Sequence, residues 1–266
     1  MNSIVTENLA VSYDDNLVVD DLEFQIPRGK ITAIIGPNGC GKSTVLKALG
    51  RILKPKNGMV YLNGEDIRRF STREIARKMA ILPQSPQAPA GLTVGELVAY
   101  GRFPHQRGFG KLTPEDKRTI AWALEVTKLT ELETTAVDSL SGGQKQRVWI
   151  AMALAQQTDL ILLDEPTTYL DLSYQLEVLE LLYRLNREQN CTIVMVLHDL
   201  NLAARFADYM IAIRSGNIIR HGTPAEVVTA EVLRETFHID AKVVAEPRTG
   251  RPACISYDLI KGQENK

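Results

Sequence analysis

The sequence predicts an α/β fold: a mainly parallel sheet with helices on both faces, joined to an antiparallel β segment and a helical insert. Three observations carry this reading. Short, mainly apolar runs, "ITAII" (31–35), "LILL" (160–163) and "TIVMVL" (192–197), read as strands buried on both faces. Helical patterns alternate with such strands, as a parallel sheet covered by helices requires. A glycine-rich turn over residues 36–44 joins the first of these runs to a helix.

Along the chain, residues 1–30 alternate apolar and polar residues in "SIVTENLAVSY" and "LEFQIP", which predicts short strands closed by the turn "PRG". Residues 31–84 begin with the apolar strand, the glycine turn and a helix, "STVLKALGRIL", and end at a second strand, "MAILPQ". A Pro-rich entry, "SPQAPAGLTVGE", then leads into helical patterns such as "PEDKRTIAWALEVTKL", where Ile120, Ala123, Leu124 and residues 126–129 mark an apolar stripe. Residues 159–222 return to strands and helices: "DLILLDEP", "YQLEVLELLYRLNREQ", "CTIVMVLHD" and "YMIAIRSGNIIRHG". The tail opens on "TPAE", a capping box with Pro at the first helical position. It continues as two short strands around "PRTGRP" and ends in a polar "KGQENK" expected to fray. The expected organisation is one domain over 1–266. Its core is 1–84 with 159–222, its helical subdomain 85–158, and its C-terminal helix and strands 223–266.

Bulk properties narrow the function. At 266 residues the chain can bury a large core, and 31 basic against 32 acidic residues give a net charge of −1, no field to attract nucleic acid. No apolar run approaches the ~18 residues of a membrane span, and the N-terminus lacks a signal-peptide pattern. Cys40, Cys191 and Cys254 are odd in number and far apart, which suits reduced thiols better than a disulfide framework. The expectation is a soluble intracellular protein.

The strongest chemical signal is Gly36-Pro37-Asn38-Gly39-Cys40-Gly41-Lys42-Ser43-Thr44, which fits G-x-x-x-x-G-K-[ST] between a strand and a helix. It predicts a P-loop NTPase core. Turn N–H groups and the helix N-terminus form an anion site, Lys42 supplies a mobile charge for the β- and γ-phosphates, and the Ser43 hydroxyl suits Mg²⁺. In "LILLDEP", Asp164 and Glu165 end a buried strand. Neighbouring strand residues point oppositely, so Asp164 is read as the magnesium holder and Glu165 as the base that polarises an attacking water. Gln84 and His198 follow two further strands; alone, one is a loop residue and the other a structural histidine. Open α/β sheets bind ligands outside their carboxyl ends, so a single phosphoryl-transfer crevice at that edge, supplied by Lys42, Gln84, Asp164, Glu165 and His198, accounts for them together. Tyr13, after the first strand, is either a stacking partner for a base or ordinary packing.

"DSLSGGQKQR" (138–147) poses a separate question. Ser141 and Gln144 have capping-box spacing, yet each Gly in a first turn costs a helix up to about 1 kcal/mol relative to Ala. Either this is merely a helix start, or something approaches too closely for side chains.

With Gly36–Thr44, Gln84, "LSGGQ" (140–144), "LILLDEP" and His198 in this order, the sequence resembles an ABC-type ATPase subunit over nearly its whole length. The resemblance implies a head-to-tail homodimer in which Ser141, Gly142, Gly143 and Gln144 of one copy cover the ATP held by the P-loop of the other. It implies that Tyr13 stacks on adenine, Gln84 touches Mg²⁺ and relays to a membrane partner, Asp171 in "TTYLD" crosses the dimer seam, and His198 contacts the γ-phosphate and helps hold Glu165. Cys40 inside the P-loop stands where family members vary and is read as tolerated rather than catalytic; a second reading is that the helix N-terminus and Lys42 lower its pKa and make it reactive. "TVGELVAYGRFPHQ", "WIAMALAQQTDLILLDEPTTYLDL", "LHDLNLAARFAD" and "EPRTGRPACI" are most similar to ferric-siderophore importers. Those imply ATP and Mg²⁺ as cofactors, integral membrane permease partners, an extracytoplasmic substrate-binding protein, and a place at the cytoplasmic face of the membrane. ATPases for vitamin B12 or haem, ABC ATPases of DNA repair or translation, and a nucleotide-dependent binding module without turnover are the alternatives.

Overall fold

The computed structural model describes residues 2–14, 16–106, 111–168 and 170–260, so the tail "KGQENK" lies outside the described residues. The chain divides into two compact units, residues 1–67 with 194–266, and residues 68–193. The first stretch forms β1 (Asn2–Tyr13), β2 (Asn16–Pro27), β3 (Ile31–Ile35), α1 (Lys42–Leu49), β4 (Asn57–Leu62) and β5 (Glu65–Asp66). The middle forms α2 (Thr72–Lys78), β6 (Met79–Leu82), α3 (Val94–Ala99), α4 (Pro114–Val126), α5 (Gly142–Ala155), β7 (Leu160–Asp164) and α6 (Leu172–Gln189). β8 (Thr192–Val196) runs across the boundary. Then come α7 (Leu200–Phe206), β9 (Tyr209–Arg214), β10 (Asn217–Gly222), α8 (Pro224–Val227), α9 (Ala230–Phe237), β11 (Ile239–Ala245) and β12 (Pro252–Leu259).

In the first unit the alternating N-terminal segments pair as an antiparallel sheet in the order β2-β1-β4-β5. Ile4 sits opposite Leu62 and Val11 opposite Val19, which turns the apolar set of each strand to one face. β1 and β2 are 12 residues each, not the short strands expected. Register shifts along β1 let long strands twist and continue through their polar residues. β3 is buried at every position and pairs in parallel with β9, Ile34 opposite Ile211. β9 returns antiparallel as β10 through Ser215 and Gly216, both at positive φ (47° and 77°), the geometry of a tight hairpin turn. α1 stops at Leu49, four residues short of the helix expected. Arg51 turns left-handed (φ 56°) and the Ile52 N–H donates to Lys47 O at 2.8 Å, closing the helix. β11 and β12 form the expected C-terminal hairpin.

In the second unit β6 and β7 pair in parallel, Ala80 opposite Ile161. β6 and β7 lie in the unit that carries α3, α4 and α5. α3, α4 and α5 bury Leu97, Val98, Ile120, Ala123, Leu124, Val148 and Ala151 among themselves, at about 1.5–3 kcal/mol for each large apolar side chain. Ser71, Thr93, Thr113 and Ser141 start α2, α3, α4 and α5 with reciprocal capping boxes. One charged group ties the helices together. Arg102, after α3 and 3% exposed, donates from Nε to Asp116 of α4 (2.7 Å) and from Nη1 to Ala155 O (2.9 Å) and Gln157 Oε1 (2.8 Å). Burial pushes the Asp116 carboxyl up, but the bonds from Arg102 and from the hydroxyl and N–H of Thr113 outweigh it and hold the group at about 2.

Candidate functional site

Residues 36–41 link β3 to α1 in the first unit. Gly36 has φ 153°, and a Cβ there would lie 2.1 Å from Ile213 O, so the strand–turn junction admits no side chain. Gly41 (φ 104°) is the N-cap of α1 and supplies no side-chain cap to its N–H groups, whereas α2 through α7 each begin on a Ser, Thr or Asp that does. α1 therefore keeps the partial positive charge of its first turn for an anion. Lys42 is 5% exposed, and its ammonium donates to Gly36 O and Pro37 O, both at 2.9 Å. The charge expected to be mobile is thus tied to the loop's own carbonyls. Ser43 and Thr44 follow in the first turn, while Asn38 and Gly39 form the exposed tip of the loop.

Cys40 corrects an expectation. Its thiol is buried, and desolvation pushes its pKa up, outweighing the charge of Lys42 and the backbone hydrogen bonds. The loop makes this thiol less reactive, not more. In the same unit, Tyr13 ends β1 with 43% of its surface exposed. His198 is exposed two residues beyond β8, and the next residue, Asp199, caps α7 by accepting from Leu202 N (2.8 Å).

In the second unit, Asp164 is the last residue of β7 and is 3% exposed. Glu165 has already left the strand: its φ is +53°, a left-handed conformation that costs a non-glycine residue of order 1–3 kcal/mol. The turn aims its carboxylate, so the strand alternation invoked for the Asp164–Glu165 pair does not apply. Glu165 Oε2 accepts from Gln84 Nε2 at 2.6 Å and from Thr168 Oγ1 at 2.9 Å. Gln84, two residues past β6, is thereby brought to Glu165. Thr168 was not singled out in the sequence. The signal was available, because a Thr three residues after an acid in a turn has the reach of a side-chain hydrogen bond.

Ser141 and Gln144 form the capping box. Gln144 N donates to Ser141 Oγ (3.3 Å) and Ser141 N donates to Gln144 Oε1 (2.9 Å). The two glycines of this turn differ. A Cβ on Gly142 would meet nothing within 4 Å, so nothing in the described residues requires its absence. A Cβ on Gly143 would lie 3.3 Å from the Tyr174 ring, so this glycine has a reason inside the chain. Asp171 is the N-cap of α6, accepting from Tyr174 N (3.1 Å) and Ser173 Oγ (2.9 Å), and these bonds lower its pKa.

Among the described residues no three His, Cys, Asp or Glu side chains gather as a metal site. The Ser43 hydroxyl and the Asp164 carboxylate are hard oxygen donors of the kind Mg²⁺ takes singly or in pairs, leaving its other positions to phosphates and water. No helix among the described residues is long and apolar enough to cross a membrane.

The family model described as "ABC transporter" matches residues 19–168. The iron(3+)-hydroxamate import ATP-binding protein FhuC of Bacillus subtilis (strain 168) is 60% identical over 264 residues, covering 99% of this chain and 98% of that protein. A solved transporter assigned to the metal-chelate ABC type, in an inward-facing conformation, is 31% identical with a TM-score of 0.82 over 96% of each chain. The dimeric structure of MJ0796, a bacterial ABC transporter cassette, is 30% identical with a TM-score of 0.74, covering 83% of this chain and 98% of that one.

Proposed function

The chain belongs to the ABC transporter family and is an ATP hydrolase of that family, and from that premise we propose that it powers an importer of ferric siderophores or a related iron chelate. The observation that carries the cargo is the 60% identity, across 99% of the chain, to a protein named for iron(3+)-hydroxamate import.

The reading assigns the triphosphate to residues 36–44, with α1's uncapped N–H groups and Lys42 on the β- and γ-phosphates and Tyr13 on the base. Lys42 exchanges two carbonyl partners for phosphate oxygens as ATP binds. Ser43, Asp164 and Gln84 would hold Mg²⁺, which when bound would neutralise phosphate charge. Glu165 takes a proton from the attacking water, whose oxygen bonds to the γ-phosphorus as the bond to the β-phosphate oxygen breaks; ADP and inorganic phosphate result. Gln84 and Thr168 set the direction in which that carboxylate accepts, and His198 supports the same γ-phosphate.

Two copies close head to tail, with Ser141, Gly142, Gly143 and Gln144 of one over the ATP of the other and Asp171 at the seam. The open space at Gly142 supports this, since among the described residues nothing requires the missing side chain. A ligand drives such closure only through its differential affinity for the two states. Moving a 1:99 mixture to 99:1 takes about 5.5 kcal/mol, within reach of two bridged nucleotides. Separation of ADP and phosphate removes the bridge and reopens the pair. Permease subunits dock on the helical insert near Gln84, hold the chain at the cytoplasmic face of the membrane, and receive cargo from an extracytoplasmic binding protein.

The test has two arms. Purified Glu165→Gln is expected to dimerise with Mg-ATP but to hydrolyse it at least roughly 10²-fold more slowly than wild type; equal turnover refutes the role of Glu165. Cells lacking this chain are expected to lose growth on ferric hydroxamates as the iron source and to regain it with the wild-type chain. Undiminished growth on every ferric siderophore refutes the cargo.

A further inference from the structure

We infer that Tyr174 is a positioning residue that locks the start of α5 to the start of α6, so that Gly142–Gly143 and Asp171 reach a partner's nucleotide as one rigid edge. The inference rests on the head-to-tail reading above, in which those two segments act together. Tyr174 belongs to the first turn of α6, where its N–H donates to Asp171 (3.1 Å). Its ring lies against the backbone of α5, with Cδ1 and Cγ 3.3 Å from where a Gly143 Cβ would stand. One turn further along both helices the contact repeats. Arg147 sits four residues after Gly143 and Glu177 three after Tyr174, positions that share a helix face. The Arg147 guanidinium lies 5.9 Å from the Tyr174 ring centroid, and its Nη1 is 3.9 Å from Glu177 Oε2. Two successive turns of α5 are therefore matched to two of α6, with the aromatic ring at the end where the candidate nucleotide contacts begin.

A purely structural role fits poorly. Tyr174 is 37% exposed, so it contributes little to a core. What the ring adds to the Ser141–Gln144 capping box is a lateral contact that sets where Gly143 sits relative to α6. A flat face is required and a hydroxyl is not.

The experiment uses the purified full-length chain, with turnover in the wild-type background and Mg-ATP-driven dimerisation in the Glu165→Gln background. Tyr174→Ala is expected to lower kcat by roughly tenfold or more, because small misplacements of binding groups are expensive in rate. It is also expected to raise the ATP concentration needed for dimerisation, while binding of a fluorescent ATP analogue to the monomer stays unchanged. Tyr174→Phe restores both. Should the Ala variant fail to fold, Tyr174→Leu takes its place, with the same loss expected because it lacks a flat face. Turnover and dimerisation within about twofold of wild type in Tyr174→Ala, or equal losses in Ala and Phe, overturn the inference. A Glu165→Gln parent that fails to dimerise overturns the head-to-tail reading itself.

Discussion

Replacing Thr168 by Val keeps the shape of the side chain and removes one bond, the 2.9 Å donation to Glu165 Oε2. A hydrogen bond to a charged group is worth about 1.5–3 kcal/mol. Gln84 still donates to the same oxygen at 2.6 Å, so the low end applies. About 1.4 kcal/mol is a factor of ten in rate, and the expected result is therefore a kcat about tenfold lower. The KM for ATP should hold, since Thr168 lies outside the loop assigned to the triphosphate. Steady-state phosphate release over a range of ATP concentrations measures both. Thr168→Ser, which keeps the hydroxyl, should recover most of the rate. A Val variant within about twofold of wild type, or a Ser variant as slow as Val, would show that the Thr168 bond does not orient the base.

Two further outcomes follow from buried groups. Asp116→Ala leaves the Arg102 guanidinium buried without its carboxylate, so urea denaturation should give a loss of about 3–5 kcal/mol; below 1 kcal/mol, the pair is not the tie between α3, α4 and α5 described above. Asp116 is held at about 2 against an ordinary 3.8, so its contribution is complete above pH 4 and lost as pH falls through about 2. Urea midpoints in wild type should decline across that window, and Asp116→Asn should flatten the decline. Cys40 should react slowly with a maleimide at pH 7, because burial pushes its thiol up and disfavours the thiolate there. Mass mapping checks it, and rapid native-state modification of Cys40 would contradict the burial argument.

The parts of the fold legible in the sequence were those whose signal is local. β3, β7 and β8 are dominated by apolar residues and buried at every position, and the capping spacings at Ser141 and Thr223 are self-contained chemistry. β4 went unread because a partner distant in sequence decides it, through its pairing with β1; β5 and α2 were missed although their signals, a tight pairing with β4 and the Ser71–Glu74 capping box, are local. The site divides in the same way. Motif positions such as Lys42, Asp164, Glu165 and Ser141 stand out by residue type and spacing, whereas the positive φ of Glu165 and the Tyr174 ring against Gly143 arise only from folding. Cys40 misled because the charge of Lys42 is visible in the sequence and the loss of water around the thiol is not.

The grip of the Lys42 ammonium on Gly36 and Pro37 changes what a substitution there would mean. The same side chain acts as a cross-brace for the segment it belongs to, so the ordering entropy of that segment is incurred when the chain folds and not when a ligand arrives. A defect in a Lys42 variant would therefore mix two losses, attraction for an anion and the preset curvature of the loop, and only a probe of loop order alongside affinity could apportion them.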